Sequence, residues 1–164
     1  MELNRKKNME KEKLEIRIER AVALFKAGFN CSQSVVAAFA DLYGYSEEQA
    51  LRMSASFGGG IGRMRHTCGA ACGLFLLAGL ETGCTNPSDR EGKAANYAFV
   101  QHLAEIFKER NGALDCSELL GLRKGDSTPP TPEARTAQYY AKRPCSKIVE
   151  EAAKIWVEYL KTQD

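Results

Sequence analysis

Residues 68–83 read Cys-Gly-Ala-Ala-Cys-Gly-Leu-Phe-Leu-Leu-Ala-Gly-Leu-Glu-Thr-Gly, and the only charge among them is Glu81, near the end. A helix this apolar has no face to offer water, so it belongs at the centre of a fold. Gly69, Ala70, Ala71 and Gly73 are small enough to let a neighbouring backbone come close. Just upstream, Gly58-Gly59-Gly60-Ile61-Gly62 has the greatest conformational freedom in the chain, and it continues through Arg63, Met64, Arg65 and His66 to Thr67. A glycine-rich turn before a central buried helix predicts an all-α fold, a compact multi-helix bundle.

The flanking sequence fits. Leu14, Ile18, Val22 and Phe25 recur at spacings of three and four, which predicts a helix over about 9–27, ended by Gly28. Asn30 with Gln33 forms a capping box for a second helix, whose stripe is Cys31, Val35, Ala38, Phe39 and Leu42, closed by Gly44. Ser46 with Gln49 forms another and starts a third helix, to about Phe57. Beyond the central helix, Pro87, Ser88 and Glu91 open a long helix that ends at Asn111-Gly112. Asp115 caps a short turn from Cys116 to Gly121. Pro132 and Glu133 suit the first turn of a helix to about Lys142, and a last helix starts at Cys145 with Ile148, Ala152, Ile155 and Tyr159 on one face. No sustained alternation marks a strand. Residues 1–8 read as a flexible N-terminus, and 9–164 as a single helical domain.

Composition narrows the function. The 164 residues are 44% hydrophobic and 27% charged, with a formal net charge of +2, which gives no electrostatic case for nucleic acid. No run of 18 apolar residues exists, so no membrane insertion is expected. The opening MELNRKKNMEKEKLEIRIER has basic residues without an apolar segment behind them and reads as a charged helix start, not a signal peptide. The expected location is therefore cytoplasmic, where thiols stay reduced, and six cysteines there point to redox chemistry or metal binding.

Four of the six share one setting. Cys31 follows Asn30, Cys68 follows Thr67, Cys116 follows Asp115 and Cys145 follows Pro144, so each opens a helix. The positive end of the helix dipole and the free amides there favour thiolate, the form that attacks disulfides and binds metals. Each also lies on the apolar stripe of its helix, so the four face inward. Cys72 is one turn into its helix and four residues from Cys68, where it can substitute as a metal ligand. Cys84 follows a helix C-terminus and reads as packing. Arg63, Arg65 and His66 precede Cys68; their charge would depress its pKa and bind an anionic substrate or cofactor. GGGIG lacks the Lys-Ser/Thr of a phosphate loop, and no Ser/His/Asp pattern, HExxH, CxxC or CxxCH is present.

Asn30-Cys31-Ser32-Gln33-Ser34-Val35, Phe57-Gly58-Gly59-Gly60, Gly62-Arg63-Met64, Cys68-Gly69-Ala70 with Gly73, Asp115-Cys116 and Pro144-Cys145 together resemble the C_GCAxxG_C_C family of small bacterial and archaeal redox proteins. The resemblance covers roughly residues 20–160. Its defining cysteines fall on Cys31, Cys68, Cys116 and Cys145. Two positions depart from it: Arg65 stands where glycine is common, and Cys72 fills a variable position of the CGAxxG element. A related domain occurs in split-Soret cytochromes, which hold haem and in some cases an iron–sulfur cluster.

Three functions follow as expectations. The first is a thiol-based oxidoreductase in which Cys68 is the low-pKa nucleophile and Cys31, Cys116 or Cys145 resolves it. The second uses the same four cysteines as ligands of an iron–sulfur cluster or of zinc. The third is a non-catalytic helical interaction module. A redox partner or small-molecule substrate is implied by the first two. A homodimer is compatible with the apolar central helix.

Overall fold

The computed structural model describes residues 2–163, without the side chains of 2–4 and 6–9. Among the described residues the chain forms eight α-helices: α1 (Glu2–Lys26), α2 (Cys31–Ala37), α3 (Glu47–Ser54), α4 (Gly69–Thr82), α5 (Arg90–Asn111), α6 (Cys116–Leu119), α7 (Ala137–Lys142) and α8 (Cys145–Thr162). Two 3-10 turns, Ala40–Tyr43 and Ala55–Phe57, extend α2 and α3. Among those residues the only strand-like pairing is an isolated antiparallel bridge between Thr67 and Asp115. The all-α bundle read from the sequence is therefore the fold.

α4 is the central helix. Gly69 to Leu74 are buried without interruption, as are Leu77 and Ala78. Around it pack Phe25 of α1, Val35 of α2, Leu103 and Phe107 of α5, and Val149 and Trp156 of α8, each 1% exposed or less. The close approach of α2 to α4 depends on two glycines. A Cβ at Gly73 would lie 2.8 Å from the Val35 Cβ, and one at Gly69 would lie 2.9 Å from the Phe57 carbonyl and 3.2 Å from the Cys31 Cβ. Side chains at those positions would push Cys31 and Cys68 apart.

Both capping boxes are present: Asn30 with Gln33 and Ser46 with Gln49. Several starts differ from the sequence reading. α1 begins at Glu2, well before residue 9, because the charged N-terminal stretch continues the helix. Met1, the first residue of the segment read as flexible, lies outside the described residues. Pro87-Ser88 stays outside α5, whose N-cap is Asp89, accepting from the Gly92 amide at 2.9 Å. Pro132-Glu133 stays outside α7, which starts after Thr136. Cys68 is itself the N-cap of α4, because Thr67 is held in the bridge to Asp115.

The glycine turn is a built element, not slack chain. Gly59, Gly60, Ile61, Gly62 and Arg63 all have φ between 57° and 72°, and Arg65 has φ 62°. This left-handed run is tied by main-chain bonds, among them Gly62 N–H to Ser56 O (2.7 Å) and His66 N–H to Gly60 O (2.9 Å). For a β-branched residue such as Ile61 the left-handed conformation costs about 1–2 kcal/mol. Such strain concentrates at functional sites. Here it brings Gly60 against Cys116: a Cβ at Gly60 would fall 2.6 Å from the Cys116 Cβ.

Candidate functional site

A cavity of about 420 Å³ opens beside this left-handed run. Cys31, Cys68, Cys116 and Cys145 all line it, one from each of four separate elements. Their backbones are set locally. The Asn30 cap fixes Cys31 at the start of α2. The Thr67–Asp115 bridge aligns Cys68 and Cys116, with Cys68 N–H donating to Leu114 O (2.8 Å) and Cys116 N–H to His66 O (2.6 Å). Pro144 places Cys145 at the first turn of the long helix α8. Cys68 and Cys116 are buried, and Cys31 and Cys145 are half-buried. Every pair among the four is close enough for the charge of one to act on the other.

The four thiols are not equivalent. The Cys31 and Cys145 sulfurs stand close enough to act on each other's proton. That coupling, followed by the charges of Arg143, Arg135 and Arg65, outweighs burial and lowers the Cys145 pKa to about 7. Holding the shared proton, together with burial and the three nearby sulfurs, raises Cys31 well above the usual thiol range. Cys145 is thus the more acidic member of the pair and Cys31 the less.

At Cys68 the surroundings oppose the low pKa expected from its helix position. Burial pushes it up to about 12, although the Ala70 and Ala71 amides at the α4 start favour its thiolate. The two arginines ahead of it point elsewhere. Arg65 Nη1 donates to the Cys116 sulfur (3.6 Å), which partly offsets the rise that burial imposes on Cys116. Arg63 donates to the carbonyls of Pro129 and Thr131 and pairs with Glu133 (3.6 Å). His66 is exposed and lies outside the cavity lining; its main chain alone supports the site.

Cys72 and Cys84 stand apart from this group, as helix position implied. Neither lines the cavity. Cys72 is raised to about 11 by burial and its sulfur faces the Thr67 carbonyl at 3.7 Å. Among the described residues no three His, Cys, Asp or Glu side chains stand close enough to share one metal ion.

Three cavity residues escaped the sequence reading. Arg143 ion-pairs with Glu133 and lies 5.1 Å from the Tyr139 ring centroid. Arg135 donates to the carbonyls of Phe25 (2.9 Å) and Phe29 (3.0 Å) at the end of α1, with its guanidinium 4.3 Å from the centroid of the Phe25 ring. Tyr139 completes this wall. Arg143, two residues before Cys145, carried the same signal as the arginines before Cys68. Arg135 and Tyr139 reach the site only through tertiary folding and had no local signal.

The model of the C_GCAxxG_C_C family, described as "Putative redox-active protein (C_GCAxxG_C_C)", matches residues 29–159. The chain belongs to that family. The matched span runs from just before Cys31 to well past Cys145, so it holds all four cavity-lining cysteines. The chain is also similar to an uncharacterized protein of Archaeoglobus fulgidus, 28% identical over 153 residues that cover 88% of this chain and 93% of that one. No solved structure matches. No helix among the described residues is long and apolar enough to cross a membrane.

Proposed function

We propose that the chain carries out thiol–disulfide exchange, with Cys145 as nucleophile and Cys31 as resolving thiol. The pairing of Cys31 with Cys145 at one cavity, where their coupling lowers the Cys145 pKa to about 7, carries this reading. It favours thiolate at Cys145 near neutral pH and keeps a second sulfur beside it. A thiol pKa close to ambient pH combines a large thiolate fraction with retained nucleophilicity.

In the reaction, the Cys145 thiolate attacks one sulfur of a substrate disulfide. The substrate S–S bond breaks, a Cys145–substrate disulfide forms, and the other half leaves as a thiolate that takes the Cys31 proton. The Cys31 thiolate then attacks the Cys145 sulfur and expels the second half, which takes a proton from solvent. The substrate gains two electrons, and Cys31 and Cys145 lose them as a disulfide. Cys68 and Cys116, more deeply buried and more firmly protonated, stand behind the pair.

Cys31→Ser tests the assignment. Treated with a small disulfide, this variant should accumulate a mixed disulfide on Cys145, found by peptide mass mapping. Cys145→Ser should not form one on Cys31 at a comparable rate. A mixed disulfide found first on Cys68 in either variant overturns the assignment.

A second reading is supported by the convergence of all four sulfurs on one cavity beside several arginines. The same four cysteines would hold an iron–sulfur cluster, which spreads its ligands around several iron atoms. Such a cluster would supply one-electron transfer. Arg65, Arg135 and Arg143 would offset thiolate charge. Protein made without oxygen would then be brown, with iron in proportion to chain; a colourless, iron-free protein that retains free Cys145 removes this reading.

A further inference from the structure

The cavity has a strong charge bias. Arg63, Arg65, Arg135 and Arg143 line it against a single carboxylate, Glu133. Two of these guanidiniums are engaged by protein. Arg63 is tied to the Pro129 and Thr131 carbonyls and to Glu133, and Arg135 to the Phe25 and Phe29 carbonyls. The other two keep donors to spare. Arg65 bonds the Cys116 sulfur through one nitrogen, and Arg143 pairs with Glu133 through another. A guanidinium carries five N–H donors.

Size and depth limit what can enter. A cavity of about 420 Å³ lies in the range that encloses small molecules. The reacting pair, Cys145 and Cys31, is half-buried in it, Cys68 and Cys116 lie deeper, and Pro130 and Pro132 form part of the same wall. A free low-molecular-weight disulfide is small enough to enter such a cavity whole.

We propose that the cavity admits a small disulfide bearing negative charge close to its sulfurs, selected by Arg65 and Arg143. The proposal rests on the Cys145–Cys31 reading above and adds the substrate class. The same arginines favour the step itself, because negative charge moves onto the departing sulfur as the S–S bond breaks.

Three disulfides of matched length test it: dithiodipropionate (a dianion), bis-hydroxyethyl disulfide (neutral) and cystamine (a dication). Each rate of Cys145 oxidation is divided by the rate of the same disulfide with free mercaptoethanol, which removes intrinsic reactivity. The dianion should react about tenfold faster than the neutral compound at low salt, with the dication slowest. The spread should shrink as ionic strength rises, and in the folded R65Q/R143Q double variant. Equal normalised rates, or a faster dication, overturn the charge selection and leave the Cys145–Cys31 pair standing. An unchanged spread in that double variant, its helix content intact, overturns the role of the two arginines. Reaction with none of the three, while mercaptoethanol consumes them all, overturns both. The wild-type rates and their salt dependence decide the matter should the double variant fail to fold.

Discussion

Cys31 and Cys145 stand more than a hundred residues apart in sequence, yet both line one cavity and their sulfurs stand close enough to act on each other's proton. Each opens a helix against the same cavity, and their coupling keeps Cys31 protonated and favours thiolate at Cys145. Cys145 should therefore alkylate with iodoacetamide at a rate that rises through pH 7 and levels off above it. Removing the partner thiol in Cys31→Ala should move that midpoint upward by about one unit, the scale of one polar interaction with a charged group. Residue-resolved mass spectrometry across a pH series checks both.

Arg143 acts on the same thiolate from the residue pair just ahead of α8. Arg143→Gln should raise the Cys145 midpoint and slow its alkylation at pH 7. It should leave the plateau rate at high pH nearly unchanged, because only the thiolate fraction is altered. A loss spread evenly over all pH values would point to a structural effect instead.

The glycines of α4 divide by what surrounds them. Gly73→Ala would set a Cβ 2.8 Å from the Val35 Cβ and should cost about 1–3 kcal/mol in urea unfolding. Gly79→Ala meets nothing within 4 Å inside the same helix and should stabilise by about 0.5–1 kcal/mol. The Gly73 variant should also slow Cys145 oxidation, since it displaces the α2 end that carries Cys31.

Burial of Cys68 makes the opposite prediction to its helix position. Its thiol, raised to about 12, should resist alkylation at pH 8 in the folded protein and react fully only after denaturation. Parallel labelling with and without guanidinium separates it from Cys145.

Much of this was readable from the chain. The near-absence of charge in residues 68–83 identified the central helix, the Asn30/Gln33 and Ser46/Gln49 pairs marked two helix starts, and helix-opening position separated Cys31, Cys68, Cys116 and Cys145 from Cys72 and Cys84. What was not readable depends on the third dimension. Sequence proximity tied Arg63 and Arg65 to Cys68, but the left-handed run turns Arg63 toward Pro129 and Thr131 and Arg65 toward Cys116. Helix position favours thiolate at all four cysteines alike. Burial and the coupling of Cys31 with Cys145 decide among them, and neither has a local signature. Arg135 acts from a polar loop whose contact with the end of α1 no periodicity shows.

The most direct measurement of the central claim is disulfide mapping after oxidation of the fully reduced protein with one equivalent of diamide. Non-reducing digestion and mass spectrometry should recover a Cys31–Cys145 linkage first, with Cys68 and Cys116 still alkylatable on unfolding. A Cys68–Cys116 linkage formed ahead of it, or Cys31 and Cys145 both remaining free, would contradict the account.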